Sequence, residues 1–408
     1  MHELAIVGLG LIGSAALRHA AAAVSTTGLE SATVIGIGPA EPEVWSQHDG
    51  PFASHYDSGR VTRRLDARRE WAILASRAIA QYPEIEKRSG IDFHRPSGLL
   101  FVRQDPAGIA NLIDIADKLD IPVEVTASDE PFAPLPQLSF PLGFTRVAEP
   151  GPAGAIDPRK MIAAQHVAAR SFGAEVERDI VISINPTSSG FELATRSGSI
   201  HHSKRVLVVA GAYSNQLLDE PLAMAVRPEV VAMGRIDEDQ VEQLAAMPSI
   251  IYLLDHPELD DVYIVPPARY PDGDTYIKIG GSHRLATTFA DTAMMNEWMQ
   301  PGVADHHLAV LQQVLVDVLP EVAFTGWRTR PCLISDTASG LPYLDTVAEG
   351  LTVAVGGNGH AAKSADAIGA LAADLSLTGQ WNDVELSAAD FSAQFGSYVP
   401  PDGSRHGN

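Results

Sequence analysis

The feature that most constrains this chain lies at its N-terminus. Leu4 to Val7 is a continuous apolar run that ends in Gly8-Leu9-Gly10-Leu11-Ile12-Gly13; an Ala-rich stretch, Ser14 to Val24, and a β-branched run, Thr33 to Ile37, follow. That order reads as strand, glycine turn, helix, strand, the first βαβ unit of a Rossmann-like dinucleotide-binding fold. Gly8 permits the tight turn, Gly10 lets the backbone approach a pyrophosphate, and Gly13 lets the helix pack closely on the strand. The helix start offers unpaired N–H groups to the phosphates. The second strand departs from the usual pattern, because Ile35-Gly36-Ile37-Gly38 carries no acid to hold the adenosine ribose. Glu41 comes a few residues late, and it either reaches back to the ribose or is a solvated loop charge.

Further signals of the same kind recur along the chain. Asp157-Pro158-Arg159 opens a helix running to about Ser171, with proline in the first turn. The segment 206–218 reads as a buried strand entering a helix, and Val353 to Gly359 as a strand breaking into glycines before a helix at Lys363 to Leu377. Between them lie a helix from Glu70 to Ile85, strands at Gly98 to Val102 and Tyr276 to Ile279, and helices at Asp105 to Leu119 and Asp305 to Leu319. The interleaving implies an α/β architecture with a discontinuous dinucleotide-binding domain, residues 1–85, 145–220 and 326–385. A mixed-sheet domain, 86–144 and 221–325, is inserted into it. The polar residues 386–408 read as an arm or frayed tail.

Charge and cysteine content narrow the partners. The 29 Lys plus Arg against 51 Asp plus Glu give a net charge of -22, which repels a nucleic-acid backbone. No run reaches the length of a membrane span and no targeting segment is evident, so the expected location is the cytoplasm. The single cysteine, Cys332, excludes an internal disulfide. It is either an inert buried thiol or a special one. No histidine or acid cluster has metal-ligand spacing, so no metal site is expected.

Against this acidic background the stretch Ser54 to Arg69 holds Arg60, Arg63, Arg64, Arg68 and Arg69. Arg60 and Arg63 are spaced i,i+3, so on a helical turn they would share a face and offer two guanidinium forks to one anion. The bland alternative is a solvated basic face. Lys278 lies between Ile277 and Ile279, and strand alternation points it away from both, to solvent or to a cavity. Lys363 falls in the first turn of a helix, where a cation gains nothing from the dipole, so its placement is more readily explained by a nearby anion, the alternative being a lysine that reaches into water.

Four stretches together resemble the FAD-dependent amine oxidases of the D-amino-acid oxidase superfamily, in particular the sarcosine oxidase group. They are the N-terminal glycine turn, Ser54-His55-Tyr56-Asp57-Ser58-Gly59-Arg60-Val61-Thr62-Arg63, Tyr276-Ile277-Lys278-Ile279-Gly280, and the pair Cys332-Leu-Ile-Ser-Asp336 and Gly357-Asn358-Gly359-His360-Ala-Ala-Lys363. The resemblance implies extended FAD on Gly8, Gly10 and Gly13, with Glu41, Ser54, Gly357, Gly359 and His360 around it and Arg60 beside the flavin ring. It implies a substrate carboxylate on Arg63 and Lys363, an oxygen-activating Lys278, and His283 as a pocket residue. It also places Cys332 where these enzymes attach FAD as a thioether, and Arg328 and Arg330 lie close enough in sequence to favour its thiolate. The implied reaction is oxidation of a secondary amine or N-methyl amino acid, with O2 reduced to hydrogen peroxide, by a monomer or small homo-oligomer. A dehydrogenase of the same fold, a nicotinamide-dependent reductase and a non-catalytic flavin-binding subunit are the rivals.

Overall fold

The computed structural model describes residues 1–26, 33–283 and 288–400, without the side chain of His283. Its first sheet is built around His2–Val7, which pairs in parallel with Ile200–Val208 on one side and Val34–Ile37 on the other. Glu175–Glu177 continues the parallel run beyond Val34–Ile37, and Leu351–Val355 pairs in parallel with the end of Ile200–Val208. Leu4, Ala5 and Ile6 are fully buried, as expected of a central parallel strand covered on both faces.

Helices Leu11–Ser25, Arg69–Ser89, Pro158–Ser171 and Ala361–Thr378 share one core with this sheet. The helix starts at Pro158 and Pro106 follow from their caps: the Asp157 side chain accepts from the Lys160 N–H and that of Asp105 from the Gly108 N–H. Leu11–Ser25 packs so tightly on Ala361–Thr378 that a Cβ at Gly369 would lie 2.6 Å from the Ala16 nitrogen. A buried polar group ties three of these helices together. Asp366 accepts from Arg18 Nη2 and Gln165 Nε2, each at 2.7 Å, and Arg18 Nε donates to Gln165 Oε1.

The second sheet has eight strands in the order Gly326–Thr337, Met224–Ile236, Thr275–His283, Leu259–Arg269, Ser249–Tyr252, Leu99–Arg103, Thr145–Glu149 and Glu124–Ala127. All neighbours are antiparallel except Ser249–Tyr252 and Leu99–Arg103. Strand alternation splits the sheet cleanly. Val230, Ala232, Val262, Ile264, Ile277 and Ile279 face a core closed by Leu311, Val314 and Leu315 of the helix Leu308–Val318.

Three expectations change. Thr145–Glu149 and Gly326–Thr337, assigned from sequence to the first domain, both pair into the second sheet, so Cys332 belongs to that sheet. Composition marks a strand but not the sheet that accepts it. The residues after 386 are also tied down as far as they are described: Phe391 is fully buried, Ala393 N–H donates to Asp345 Oδ2, and Leu222 bridges Phe395. The segment after the buried strand 206–208 forms only a short 3-10 turn, Gly211–Gln216.

Candidate active site

A cavity of about 620 Å³ runs from Gly8 and Gly10 to Cys332, Tyr263 and Lys363, with walls from both sheets. At its first end the three glycines do separate jobs. Gly8 has φ +108°, and a Cβ there would sit 2.5 Å from the Val209 carbonyl oxygen. A Cβ at Gly13 would overlap the Gly8 carbonyl, so the helix can lie on its own turn only without one. Gly10, the N-cap of Leu11–Ser25, has no side-chain cap, and its surroundings are open except for His55. Burial and the cation of Arg159 push His55 down to about 3, leaving a neutral imidazole under the turn.

At the other end the helix Ala361–Thr378 starts after Gly357 and Gly359, and its N-cap His360 makes no side-chain cap. All three residues line the cavity. Lys363, 1% exposed, donates from Nζ to Asp66 Oδ2 at 2.6 Å. The same oxygen accepts from Arg63 Nη2 at 2.9 Å and lies 3.0 Å from His360 Nδ1. Burial disfavours the Asp66 carboxylate, but Lys363, His360 and Arg63 outweigh it and hold the group well below the usual range. Burial in turn pushes Lys363 down to about 8 against the pull of Asp66. Arg63 and Lys363 are thus brought together on one internal carboxylate, that of Asp66. Arg63 Nε is buried with no hydrogen-bond partner among the described residues, and Arg63 lines the cavity.

Arg60 does not share a helical face with Arg63. Arg60–Thr62 is a strand in a small sheet with Gly154–Ile156 and His94–Arg95, so residues three apart diverge. Arg60 turns to its own set of partners: Asp57 at 3.2 Å, Tyr263 Oη at 3.2 Å, the Ser54 carbonyl at 2.8 Å and Cys332 Sγ at 3.5 Å. The cation on the thiol is therefore Arg60. Arg328 is engaged by Asp272 and stacks on Tyr276, and Arg330 lies over Trp45.

Strand alternation directs Lys278 away from Ile277 and Ile279, but to a buried acid and neither to solvent nor to the cavity. Its Nζ is 2.5 Å from Asp57 Oδ2 and also donates to the Gly59 carbonyl; it does not line the cavity. Burial pushes Lys278 down to about 8, opposed by Asp57. Asp57, which also accepts from Tyr270 Oη at 2.7 Å, is held well below its ordinary value because Lys278 and Arg60 overcome the penalty of burial. Cys332 is buried, lines the cavity and stands opposite Glu229 in the ladder. Ser54 also lines it and donates to the Leu333 carbonyl. Glu41 does not: its carboxylate is engaged in two hydrogen bonds by Arg159, at 2.7 and 2.5 Å. The His283 side chain lies outside the described residues.

Sequence reasoning passed over Asp57, Asp66, Tyr263 and Glu229. The first two had a readable signal, since each acid stands three residues from the arginine it pairs with.

The cavity fits an extended dinucleotide. Two long helices point uncapped N-termini into it, a backbone bare of side chains lies at one end, and a thiol with a guanidinium lies at the other. This combination of a parallel nucleotide-binding sheet and a second sheet closing the cavity defines a dinucleotide-binding oxidoreductase. The chain belongs to the FAD-dependent oxidoreductase family (DAO), whose pattern matches residues 3–375. It is 24% identical over 388 residues to the monomeric sarcosine oxidase of Streptomyces avermitilis, covering 93% of this chain and 94% of that one. Its fold is similar to that of NikD, an unusual amino acid oxidase essential for nikkomycin biosynthesis (TM-score 0.74, 17% identity, 98% and 99% of the two chains). It is also similar to L-proline dehydrogenase from P. horikoshii (TM-score 0.70, 16% identity, 96% of each chain).

Proposed function

We propose that this enzyme is a flavin-dependent oxidase of a small secondary amine or N-methyl amino acid, with its carboxylate held on Arg63 and Lys363. The observation that carries this reading is the convergence of Arg63 and Lys363, 300 residues apart in sequence, on the cavity that also holds Cys332. Counting Arg63 and Lys363 against Asp66 leaves one positive charge, and the unpartnered Arg63 Nε supplies a donor for an incoming carboxylate. The related sarcosine oxidase supports an amine with a neighbouring carboxylate as substrate class.

FAD, when bound, would supply a two-electron acceptor for oxidation of the amine C–H bond, with O2 as the final acceptor in the oxidase reading. Gly8, Gly10 and Gly13 would hold its pyrophosphate, and Gly357, Gly359 and His360, with the helix N–H groups behind them, would hold another part of it. Arg63 and Lys363 fix the carboxylate and thereby the reacting carbon. Tyr263 and Arg60 wall the space beside Cys332 and exclude water from it. Lys278 sets a positive charge behind that wall, and Asp57 keeps the lysine oriented. Cys332, with the Arg60 guanidinium 3.5 Å from its sulfur, would be the attachment point for the flavin.

One observation favours a second reading, a dehydrogenase that passes electrons to another acceptor. Lys278 is closed off from the cavity by its contacts with Asp57 and Gly59. Anaerobic reduction by an N-methyl amino acid, followed by admission of O2, separates the two. Stoichiometric peroxide and fast return of the oxidised flavin spectrum support the oxidase; reduction without peroxide supports the dehydrogenase. A colourless protein that binds nicotinamide cofactor would sink both.

A further inference from the structure

The second sheet carries a row of polar side chains across four adjacent strands. Glu229 stands opposite Cys332, Ser282 stands opposite Asp261, and the Val230–Gly281 pairing sets Glu229 beside Ser282. Residues directly opposite in a ladder project from the same face. That face is the cavity face, because Cys332, Glu229 and Asp261 all line the cavity. Ser282, 1% exposed, lies in the row between the two acids, and its buried Oγ has no hydrogen-bond partner among the described residues. Ser282 itself lies behind the cavity wall, so the carboxylates of Glu229 and Asp261 are the charged groups of this row that face the cavity.

We infer that Glu229 is the residue that binds the substrate ammonium and accepts its proton, so that the cavity takes an amino acid as a zwitterion, carboxylate on Arg63 and Lys363, ammonium on Glu229. The inference rests on the proposed function and supplies what that reading lacks, since amine oxidation requires a nitrogen lone pair and an amino acid arrives protonated. The step balances simply: the N–H bond of the ammonium breaks, its electron pair stays on nitrogen, and the proton forms an O–H bond on the Glu229 carboxylate.

The surroundings suit a carboxylate that changes state near neutrality. On its own strand Glu229 Oε2 takes one hydrogen bond from Arg227 Nη1 at 3.0 Å, and Arg227 is shared with Asp336 of the neighbouring strand. Asp261 and Tyr263 approach from Leu259–Arg269, Ser282 from Thr275–His283, Cys332 from Gly326–Thr337, and Arg60 from the small sheet, while Lys278 stands opposite Met233, further along that face. Burial, reinforced by Asp261 and opposed by Arg227 and Arg60, pushes Glu229 up to about 8. A proton acceptor so tuned is close to matched with an amine whose pKa is lowered on leaving water.

The test uses two isosteric ligands that are not substrates: trimethylammonioacetate, with a fixed positive charge, and 3,3-dimethylbutanoate, with carbon in place of nitrogen. Binding to the holoenzyme is followed by perturbation of the flavin spectrum. Both ligands present the same carboxylate, so titration at Arg63 or Lys363 cancels in the ratio of their affinities. The expected result at pH 9 is a preference of about tenfold for the cationic ligand, falling as pH drops through 8 and abolished in Glu229→Gln, with 3,3-dimethylbutanoate binding unchanged. The wild-type pH dependence needs no variant, so a Gln enzyme that failed to fold would leave the inference open to refutation. A preference that is absent at pH 9 in wild type, or that survives in folded Glu229→Gln, overturns it. Failure of both ligands to bind, or binding insensitive to Arg63→Met, would instead overturn the carboxylate site and with it the proposed function.

Discussion

Lys363 and Asp66 form an ion pair at 2.6 Å in which both side chains are buried, between the first turn of one helix and the loop ahead of another. Taking two charges out of water is worthwhile only when each is fully engaged, and removing one partner strands the other. Asp66→Asn leaves Lys363, Arg63 and His360 without their common acceptor, and should cost about 3–5 kcal/mol of stability. The double variant with Lys363→Met should lose less than the sum of the two singles. Chemical denaturation of the four proteins measures that coupling. The pH dependence has a defined sign. Asp66 is depressed in the native state, so its contribution is complete above its unfolded value near 4 and disappears as pH falls below it. Lys363 is also depressed, from 10.5 to about 8, so the unfolded chain binds more protons across that window and this group's contribution rises with pH there.

Lys278 should govern the reaction with oxygen and leave substrate reduction nearly unchanged. Its charge is lost as pH rises through about 8, since burial has brought it down that far against Asp57. Stopped-flow mixing of reduced enzyme with O2 should show a rate that falls across that pH, and Lys278→Met should be slower by at least about tenfold at pH 7. Equal losses in the reductive and oxidative steps would remove the assigned role.

What the sequence discloses here is what local physics encodes. The glycine turn is legible because only glycine tolerates Gly8's backbone and the overlap at Gly13, and the helix starts at Asp105 and Asp157 are legible because capping is a four-residue matter. Lys278's direction follows from alternation alone. The partners of the charged groups were not legible. Arg60 meets Cys332 across 272 residues, and Lys363 meets Asp66 across 297, contacts set by which strands pair and in what register. Glu229 looks like an ordinary strand acid until that register puts it beside Cys332 and Ser282. The i,i+3 rule misled at Arg60 because it presumes a helix where the chain is extended.

Gly8→Ala should abolish flavin binding. The added methyl meets the Val209 carbonyl at 2.5 Å and the Ala210 Cα at 2.9 Å, and the residue must hold φ +108°, where an L side chain is strained by about 1–3 kcal/mol. Backbone atoms cannot rotate aside, so the turn has to open and the cradle is lost. Gly10→Ala, whose Cβ would find only His55 at 3.7 Å, should fold normally and show weaker FAD affinity on reconstitution of the apoprotein. Flavin content after purification and melting temperature of each variant separate the two effects.

Cys332 should carry the flavin covalently, and Arg60 should set how fast the bond forms. The thiol is buried, faces the cavity and has the Arg60 guanidinium 3.5 Å from its sulfur. Acid precipitation of wild type should leave the yellow colour in the pellet, whereas Cys332→Ala should release it to the supernatant. Arg60→Met, reconstituted from apoprotein and FAD, should bind flavin and attach it at least about tenfold more slowly, because the cation beside the reacting sulfur is lost. Lys restores the charge without the fork that also holds Tyr263 and the Ser54 carbonyl, so Arg60→Lys should fall between the two. Release of flavin from wild type would remove the covalent link, and attachment at the wild-type rate in Arg60→Met would leave the link intact and take away the role of the arginine.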